Sequence, residues 1–283
     1  MTISKIGVLG SGQMGAGIAQ VAALSGFEVV LHDISEPALE KATSDIARRL
    51  DRMVQREKID VAAREGALSR LSSSASVSSI ESCGLVIEAV TENMAVKGEV
   101  LAAADRALAS GAFLASNTSS ISITKLASGT SRAEQFIGMH FMNPVPVMKL
   151  VEVIRGLETS DETFQAVKDV SEKMGKTVVC SQDYPGFIVN RILIPMLNEA
   201  IFALYEGIAT AEDIDAAMKL GTNQPMGPLT LADFIGLDTV LAIAEVLHDG
   251  LGDSKYRPCP LLRNYVAAGR LGKKTGRGFF DYS

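Results

Sequence analysis

The chain has 283 residues, 47% apolar and 21% charged, which is enough apolar surface for one large domain or two ordinary ones and excludes a disordered polymer. Its 33 acidic and 27 basic residues leave a net charge of −6, which argues against nucleic-acid binding and obliges any acidic ligand to find a local basic patch. No apolar run approaches the roughly eighteen residues of a membrane span, and Cys83, Cys180 and Cys259 are too scattered to suggest a disulfide framework or a metal site.

A strand begins within a few residues of Met1 with no basic or apolar leader before it, so a cytoplasmic location is expected. That strand, Lys5 to Gly10, is rich in β-branched residues and runs into Gly10-Ser-Gly-Gln-Met-Gly15, and Ala16 to Leu24 has the small residues of a helix packed closely on a sheet. A second strand, Glu28 to Asp33, closes on an acid 18 residues after Gly15. Strand, Gly-x-Gly-x-x-Gly, helix, strand and terminal acid together form a dinucleotide fingerprint: Gly10, Gly12 and Gly15 permit the turn and let the amides near Gln13 and Met14 approach a pyrophosphate. Asp33 would accept from the ribose hydroxyls and repel a 2′-phosphate, and no Arg or Lys follows it immediately, so the expected cofactor is NAD rather than NADP.

Two helical stretches are predicted next, Pro37 to about Gln55 and Val61 to Gly66, in place of a short crossover. Between Arg48 and Lys58 five basic residues face two acidic ones, a run that reads equally as a solvated helix face or as a patch for a phosphorylated ligand. Ser69 to Ser82 is a serine-rich, low-complexity tract. Leu85 to Val90 is a buried-type strand leading to Glu92 and a helix that carries Lys97. Ala112 to Ser116 is another, delivering Asn117-Thr-Ser-Ser120 to a turn where helix capping and ligand binding can coexist.

Phe136 to Met139 is an apolar strand that sets His140 near its end, before the turn at Asn143-Pro144. Lys149 to Ile154 alternates so that Leu150, Glu152 and Ile154 share a face, and a carboxylate on such a face needs a partner. His140 and Glu152 form the pairing that proton abstraction from an alcohol requires, although a lone histidine at a strand end also serves as a hydrogen-bonded structural residue. A helix, Asp161 to Met174, and a strand, Thr177 to Cys180, end the alternation.

From Tyr184-Pro-Gly-Phe-Ile-Val-Asn-Arg191 onward the pattern is helical, through a long segment to about Glu206 interrupted by Pro195. Gly207 reads as a helix stop and Thr210-x-x-Asp213 as a helix start, with further helices at Leu229 to Ile235, Asp238 to Leu247 and Leu261 to Ala268. The expected architecture is α/β: a Rossmann-type doubly wound sheet with an inserted helical hairpin over residues 1–183, followed by an all-helical domain over residues 184–283.

The order of Gly-x-Gly-x-x-Gly, Asn-Thr-Ser-Ser, His-Phe-Met-Asn-Pro, Leu-Val-Glu, Pro-Gly-Phe-Ile-Val-Asn-Arg, Pro-Met-Gly-Pro and Gly-Lys-Lys-Thr-Gly-Arg-Gly-Phe-Phe closely resembles the 3-hydroxyacyl-CoA dehydrogenases, over essentially the whole chain and most like the bacterial 3-hydroxybutyryl-CoA enzymes. The resemblance implies an NAD-dependent oxidation of a 3-hydroxyacyl-CoA, with His140 as general base, Glu152 orienting it, and Ser119 and Asn190 on the substrate's oxygens. It implies that Asn143, Glu92, Lys97 and Lys274 serve the nicotinamide half and the bound acyl-CoA, with Asn117 and Ser119 also beside the cofactor; by residue type alone the first four are ordinary surface polarity. It also gives the basic run a purpose as the CoA patch, where Arg49 and Arg56 replace the serine and lysines of the family. A homodimer through the helical domain is implied as well. Two other readings stay open at this point: a dehydrogenase of a free hydroxy or sugar acid, and a non-catalytic NAD-binding dimer.

Overall fold

The apolar run after Ser4 becomes strand β1 (Lys5–Leu9), whose buried Ile6, Val8 and Leu9 lie at the middle of a sheet in the computed structural model, which describes residues 3–283. The chain divides into two compact units after Tyr184. In the first unit β1 is followed by α1 (Gln13–Leu24), β2 (Glu28–His32), α2 (Glu36–Gln55), α3 (Val61–Ser69), β3 (Leu71–Ser74), β4 (Leu85–Glu88), α4 (Met94–Ala107), β5 (Phe113–Ser116), α5 (Ile123–Ala127), β6 (Phe136–Phe141), β7 (Leu150–Arg155), α6 (Asp161–Lys173) and β8 (Thr177–Gln182). The strands stand in the order β3-β2-β1-β4-β5-β6-β7-β8. The first six in that order run parallel, β7 is antiparallel to β6, and β8 follows β7 in parallel. Together with the α2–α3 hairpin after β2 this is the expected doubly wound α/β architecture.

The sheet holds because its central strands bury both faces. Val8, Leu85, Ile87, Leu114, Ile137 and Val153 are all fully buried, each contributing roughly 1.5–3 kcal/mol relative to an exposed position. Helix α1 is almost wholly buried, largely through small residues, Gly15, Ala16, Gly17, Ala19, Ala22 and Ala23, with Ile18, Gln20 and Val21 among them. One expectation needs correction. The serine-rich tract contains β3, which pairs with β2 at the sheet edge and leaves Ser72 and Ser73 exposed; hydroxyls are tolerated there, and Ser72 donates to the Val29 carbonyl at 3.0 Å.

The second unit contains α7 (Val189–Tyr205, with Pro195 inside it), α8 (Ala211–Gly221), α9 (Pro228–Ile235), α10 (Leu237–Leu251) and α11 (Pro260–Ala267). Its own core is built on Ile194, Leu197, Ile201, Leu229, Leu237, Val240 and Leu262. Gly207 adopts φ +73 after α7, and the Thr210 side chain accepts from the Asp213 amide to start α8. Buried Asp233 accepts from the Phe279 and Phe280 amides and from the Tyr282 hydroxyl, fastening the segment after α11 to α9. Gly278 is explained by the same clasp, since a Cβ on it would come within 1.9 Å of the Asp233 carboxylate. No helix among the described residues is long and apolar enough to cross a membrane.

Candidate active site

The six parallel strands end along one edge of the sheet, and the first unit's sequence candidates gather there or on the segments that follow. At the end of β1, Gly10 has φ +98 and a Cβ on it would meet the Ala89 carbonyl oxygen at 2.7 Å; a Cβ on Gly15 would come within 1.8 Å of the Gly10 oxygen. Those two glycines are demanded by the protein's own packing. Gly12 is not, because an added Cβ there meets no atom within 4 Å. Helix α1 begins on Gly12 with no side-chain cap and no acid in its first turn, whereas Ser35, Asp60, Asn93, Ser122 and Ser160 cap α2 to α6. An anion can therefore approach the first amides of α1 without displacing a side chain, which fits the pyrophosphate of a dinucleotide.

Asp33, just past β2, accepts from the Ser11 amide at 2.8 Å, the Ser11 hydroxyl at 2.7 Å and the Ser35 amide at 3.0 Å. Burial pushes its carboxyl up, but those hydrogen bonds outweigh burial and hold it below the usual aspartate range, so it stays an anionic acceptor. A cavity of about 490 Å³ joins Ser11, Gly12 and Gln13 to Asp33, Lys41 and Arg49. Arg49 shares a second recess of about 250 Å³ with Asp45, Arg48 and Arg52. Arg56 lies outside both recesses as the exposed C-cap of α2, seven residues and so about 10 Å farther along the helix axis. The structure does not bring Arg49 and Arg56 to one point.

His140 and Glu152 face each other in register across the antiparallel β6–β7 pair. Reversal of β7 brings the beginning of that strand to the edge where β6 ends. Nδ1 of His140 lies 2.7 Å from Oε2 of Glu152, with the histidine 7% and the glutamate 0% exposed. A carboxylate can only accept, so Nδ1 carries the hydrogen and Nε2 is the nitrogen that can exchange a proton with a ligand. The Asn117 side chain accepts from the Phe141 amide at 2.9 Å, tying the end of β5 to that of β6. Asn143 is exposed in the turn after β6, and its Oδ1 accepts from Gln13 at 3.1 Å. Lys176 holds this turn from beneath, donating to the Val145 and Met148 carbonyls at 2.5 and 2.8 Å.

Glu92 gathers the turn after β5. Its Oε1 accepts from the Thr118 hydroxyl at 2.6 Å, the Ser119 amide at 2.9 Å and the Ser119 hydroxyl at 3.1 Å. Burial pushes the Glu92 carboxyl up, while Lys97 and these donors prevail and bring it below its ordinary value. Lys97 is no surface residue: it is 1% exposed, and its ammonium lies 2.7 Å from Glu88 and 3.3 Å from Glu92. In the second unit Asn190 sits in the first turn of α7, buried, just after Phe187, which adopts φ +50. Lys274 is exposed and pairs with Asp238 at the start of α10.

Sequence reasoning missed Ser11, Lys41, Glu88 and Lys176. Glu88 carried a signal, being an acid inside the apolar run of β4, and Ser11 stood inside the fingerprint; Lys41 and Lys176 carried none. Among the described residues no group of histidine, cysteine and acidic side chains could hold a metal.

The family model described as 3-hydroxyacyl-CoA dehydrogenase, NAD binding domain, matches residues 5–184, and its C-terminal domain counterpart matches residues 186–282. A 3-hydroxybutyryl-CoA dehydrogenase of Bradyrhizobium diazoefficiens is 56% identical over 99% of this chain and 96% of its own length. A probable 3-hydroxybutyryl-CoA dehydrogenase of Bacillus subtilis is 56% identical over 100% of this chain and 98% of its own. Among solved structures, (S)-3-hydroxybutyryl-CoA dehydrogenase from Ralstonia eutropha superposes with a TM-score of 0.98 at 52% identity, covering 100% of both chains.

Proposed function

The chain belongs to the 3-hydroxyacyl-CoA dehydrogenase family, and from that premise we propose that it interconverts (S)-3-hydroxybutyryl-CoA and acetoacetyl-CoA with NAD. Bound NAD supplies the acceptor for the hydride that leaves C3 of the hydroxyacyl group. His140 takes the proton of the 3-hydroxyl at Nε2, since its Nδ1 is committed to Glu152. The imidazolium that forms lies against a carboxylate shut off from water, which favours it as charge develops. Ser119 and Asn190 hydrogen-bond the substrate's oxygens. The loop from Gly10 to Gly15 receives the pyrophosphate and Asp33 the adenosine ribose, while Glu92, Lys97, Asn117, Asn143 and Lys274 serve the nicotinamide half. Arg49 and Arg56 attract the phosphates of CoA, Arg49 from within the recesses of α2 and Arg56 from its end.

The observation that carries the reading is the 2.7 Å contact between His140 and Glu152 in a chain that also bears the dinucleotide fingerprint. Residues 1–183 then act as the NAD-binding domain and residues 184–283 as the substrate and dimerisation domain. A homodimer through the helical unit is supported by the apolar side chains it exposes, Ile208 at 73% and Leu220 at 81%. Light scattering should give twice the 30.0 kDa of one chain. The enzyme works in the cytoplasm, in fatty-acid or butanoate metabolism, where a CoA thioester and NAD meet as dissolved reactants.

The test is the loss of NADH absorbance on adding acetoacetyl-CoA, run beside NADPH and free acetoacetate. Oxidation of NADH with the thioester alone is expected. Turnover of free acetoacetate at a comparable rate would move the substrate to a free acid, and NADH binding without any turnover would make the protein a non-catalytic binder.

A further inference from the structure

Glu88 closes β4 as a carboxylate with 0% exposure, and the reaction described above gives it no task. Its Oε1 accepts from the Val90 amide and the Lys97 ammonium, each at 2.7 Å, and its Oε2 from the Ser116 hydroxyl at 2.5 Å. Lys97 spans from there to Oε2 of Glu92 at 3.3 Å, and Oε1 of Glu92 collects the Thr118, Ser119 and Ser120 groups of the turn. Ser116 also accepts from the Thr118 amide at 3.2 Å, so the turn is held from both ends of the same network. A buried carboxylate and ammonium, Glu88 and Lys97, joined to the partly exposed Glu92, are weak evidence for stability, because apolar residues of the same volume commonly do as well as a buried ion pair. What such a cluster provides here is a fixed place for the Glu92 head, which the exposed side of the turn does not supply.

We propose that Glu88 is a positioning residue for the reaction: through Lys97 it fixes the Glu92 carboxylate, and through Glu92 the Thr118–Ser120 turn that presents Ser119. The inference rests on the function proposed above. In Glu88→Gln the side chain keeps its size, but its amide cannot accept on both sides at once. Lys97 then keeps Glu92 as its carboxylate partner, beside the Val90 carbonyl at 3.4 Å, and the turn loses the buried charge that anchored it.

The experiment compares wild type, Glu88→Gln and Ser116→Ala by thermal melting and by steady-state reduction of acetoacetyl-CoA well below the melting temperature. Glu88→Gln should lower kcat roughly 10- to 100-fold, the scale of a displacement of about 1 Å at a positioning group, with KM for NADH within about threefold. Ser116→Ala, which removes one donor from Glu88 and leaves the ion pair, should lower kcat by a smaller factor in the same direction. A merely structural role would lower the melting temperature while leaving kcat per folded molecule unchanged. A folded Glu88→Gln with kcat within twofold of an active wild type overturns the proposal, and if that variant does not fold, the same result for Ser116→Ala does. An inactive wild type would instead remove the proposed function itself, and this inference with it.

Discussion

Replacing Glu152 by Gln tests the His140 dyad without emptying its site. The two side chains are 2.7 Å apart, with exposures of 7% and 0%, so little water screens them. When His140 takes the substrate's proton, a positive charge forms about 4 Å from the centre of the carboxylate, an attraction of about 4 kcal/mol at an effective dielectric of about 20. Glutamine still accepts the Nδ1 hydrogen, and a neutral hydrogen bond returns about 1 kcal/mol of that. The net of about 3 kcal/mol corresponds to a fall in kcat of roughly 10²-fold. KM for NAD should stay within about threefold, since the interaction strengthens only as charge forms on the imidazole. The assay is steady-state reduction of NAD by (S)-3-hydroxybutyryl-CoA, the direction in which His140 gains its charge, with melting curves to confirm that both proteins are folded at the assay temperature. A Glu152→Gln enzyme with kcat within about threefold of wild type would refute the electrostatic role and leave Glu152 as a packing residue.

Gly12→Ala should melt with wild type yet raise KM for NADH about tenfold, a loss of about 1.4 kcal/mol, because its Cβ meets no protein atom. Gly15→Ala, whose Cβ would sit 1.8 Å from a carbonyl oxygen, should instead lower the melting temperature by roughly 5 °C or more; if the two variants behaved alike, the division between a packing glycine and a binding glycine would fail. The folded-state value of the Asp33 carboxyl is depressed, so the stability it contributes is present above its unfolded value and is lost as pH falls through the lower folded one. Melting of wild type against Asp33→Asn should therefore show a difference at pH 6 that shrinks below about pH 4, and a difference undiminished at about pH 3 would contradict the shift. Arg49→Gln should raise KM for acetoacetyl-CoA roughly three- to tenfold through loss of a charge-assisted contact, with a smaller effect for Arg56→Gln at the exposed end of α2; an unchanged KM in Arg49→Gln would take the CoA phosphates away from this patch.

The sequence carried the parts of the fold whose physics is local. Alternating and continuous apolar runs marked the buried strands, and caps such as Thr210 and stops such as Gly207 marked helix ends because each acts within one turn of its own position. The α2–α3 hairpin was legible for the same reason. Strand β3 was not, since its stability comes from pairing with β2 rather than from its own serines. The partner of Glu152 was legible as a need, because a carboxylate on an apolar face requires one, and the structure supplies His140. The surroundings of Lys97 were hidden: spacing along α4 gives no sign that its ammonium turns inward to Glu88 and Glu92. The cavity beside Asp33 was hidden too, because Lys41 and Arg49 reach it from a helix whose docking onto the sheet no local pattern announces.

The antiparallel pairing of β6 and β7 separates the ladder that holds His140 from the connection that follows it. The ladder sets the distance between His140 and Glu152, and neighbours on both sides, β5 and β8, hold that ladder in register. The eight residues between the strands take no part in it, and they include the exposed Asn143, Val147 and Met148. Changes at Val147 and Met148 in that connection therefore leave the His140–Glu152 pair where the sheet puts it.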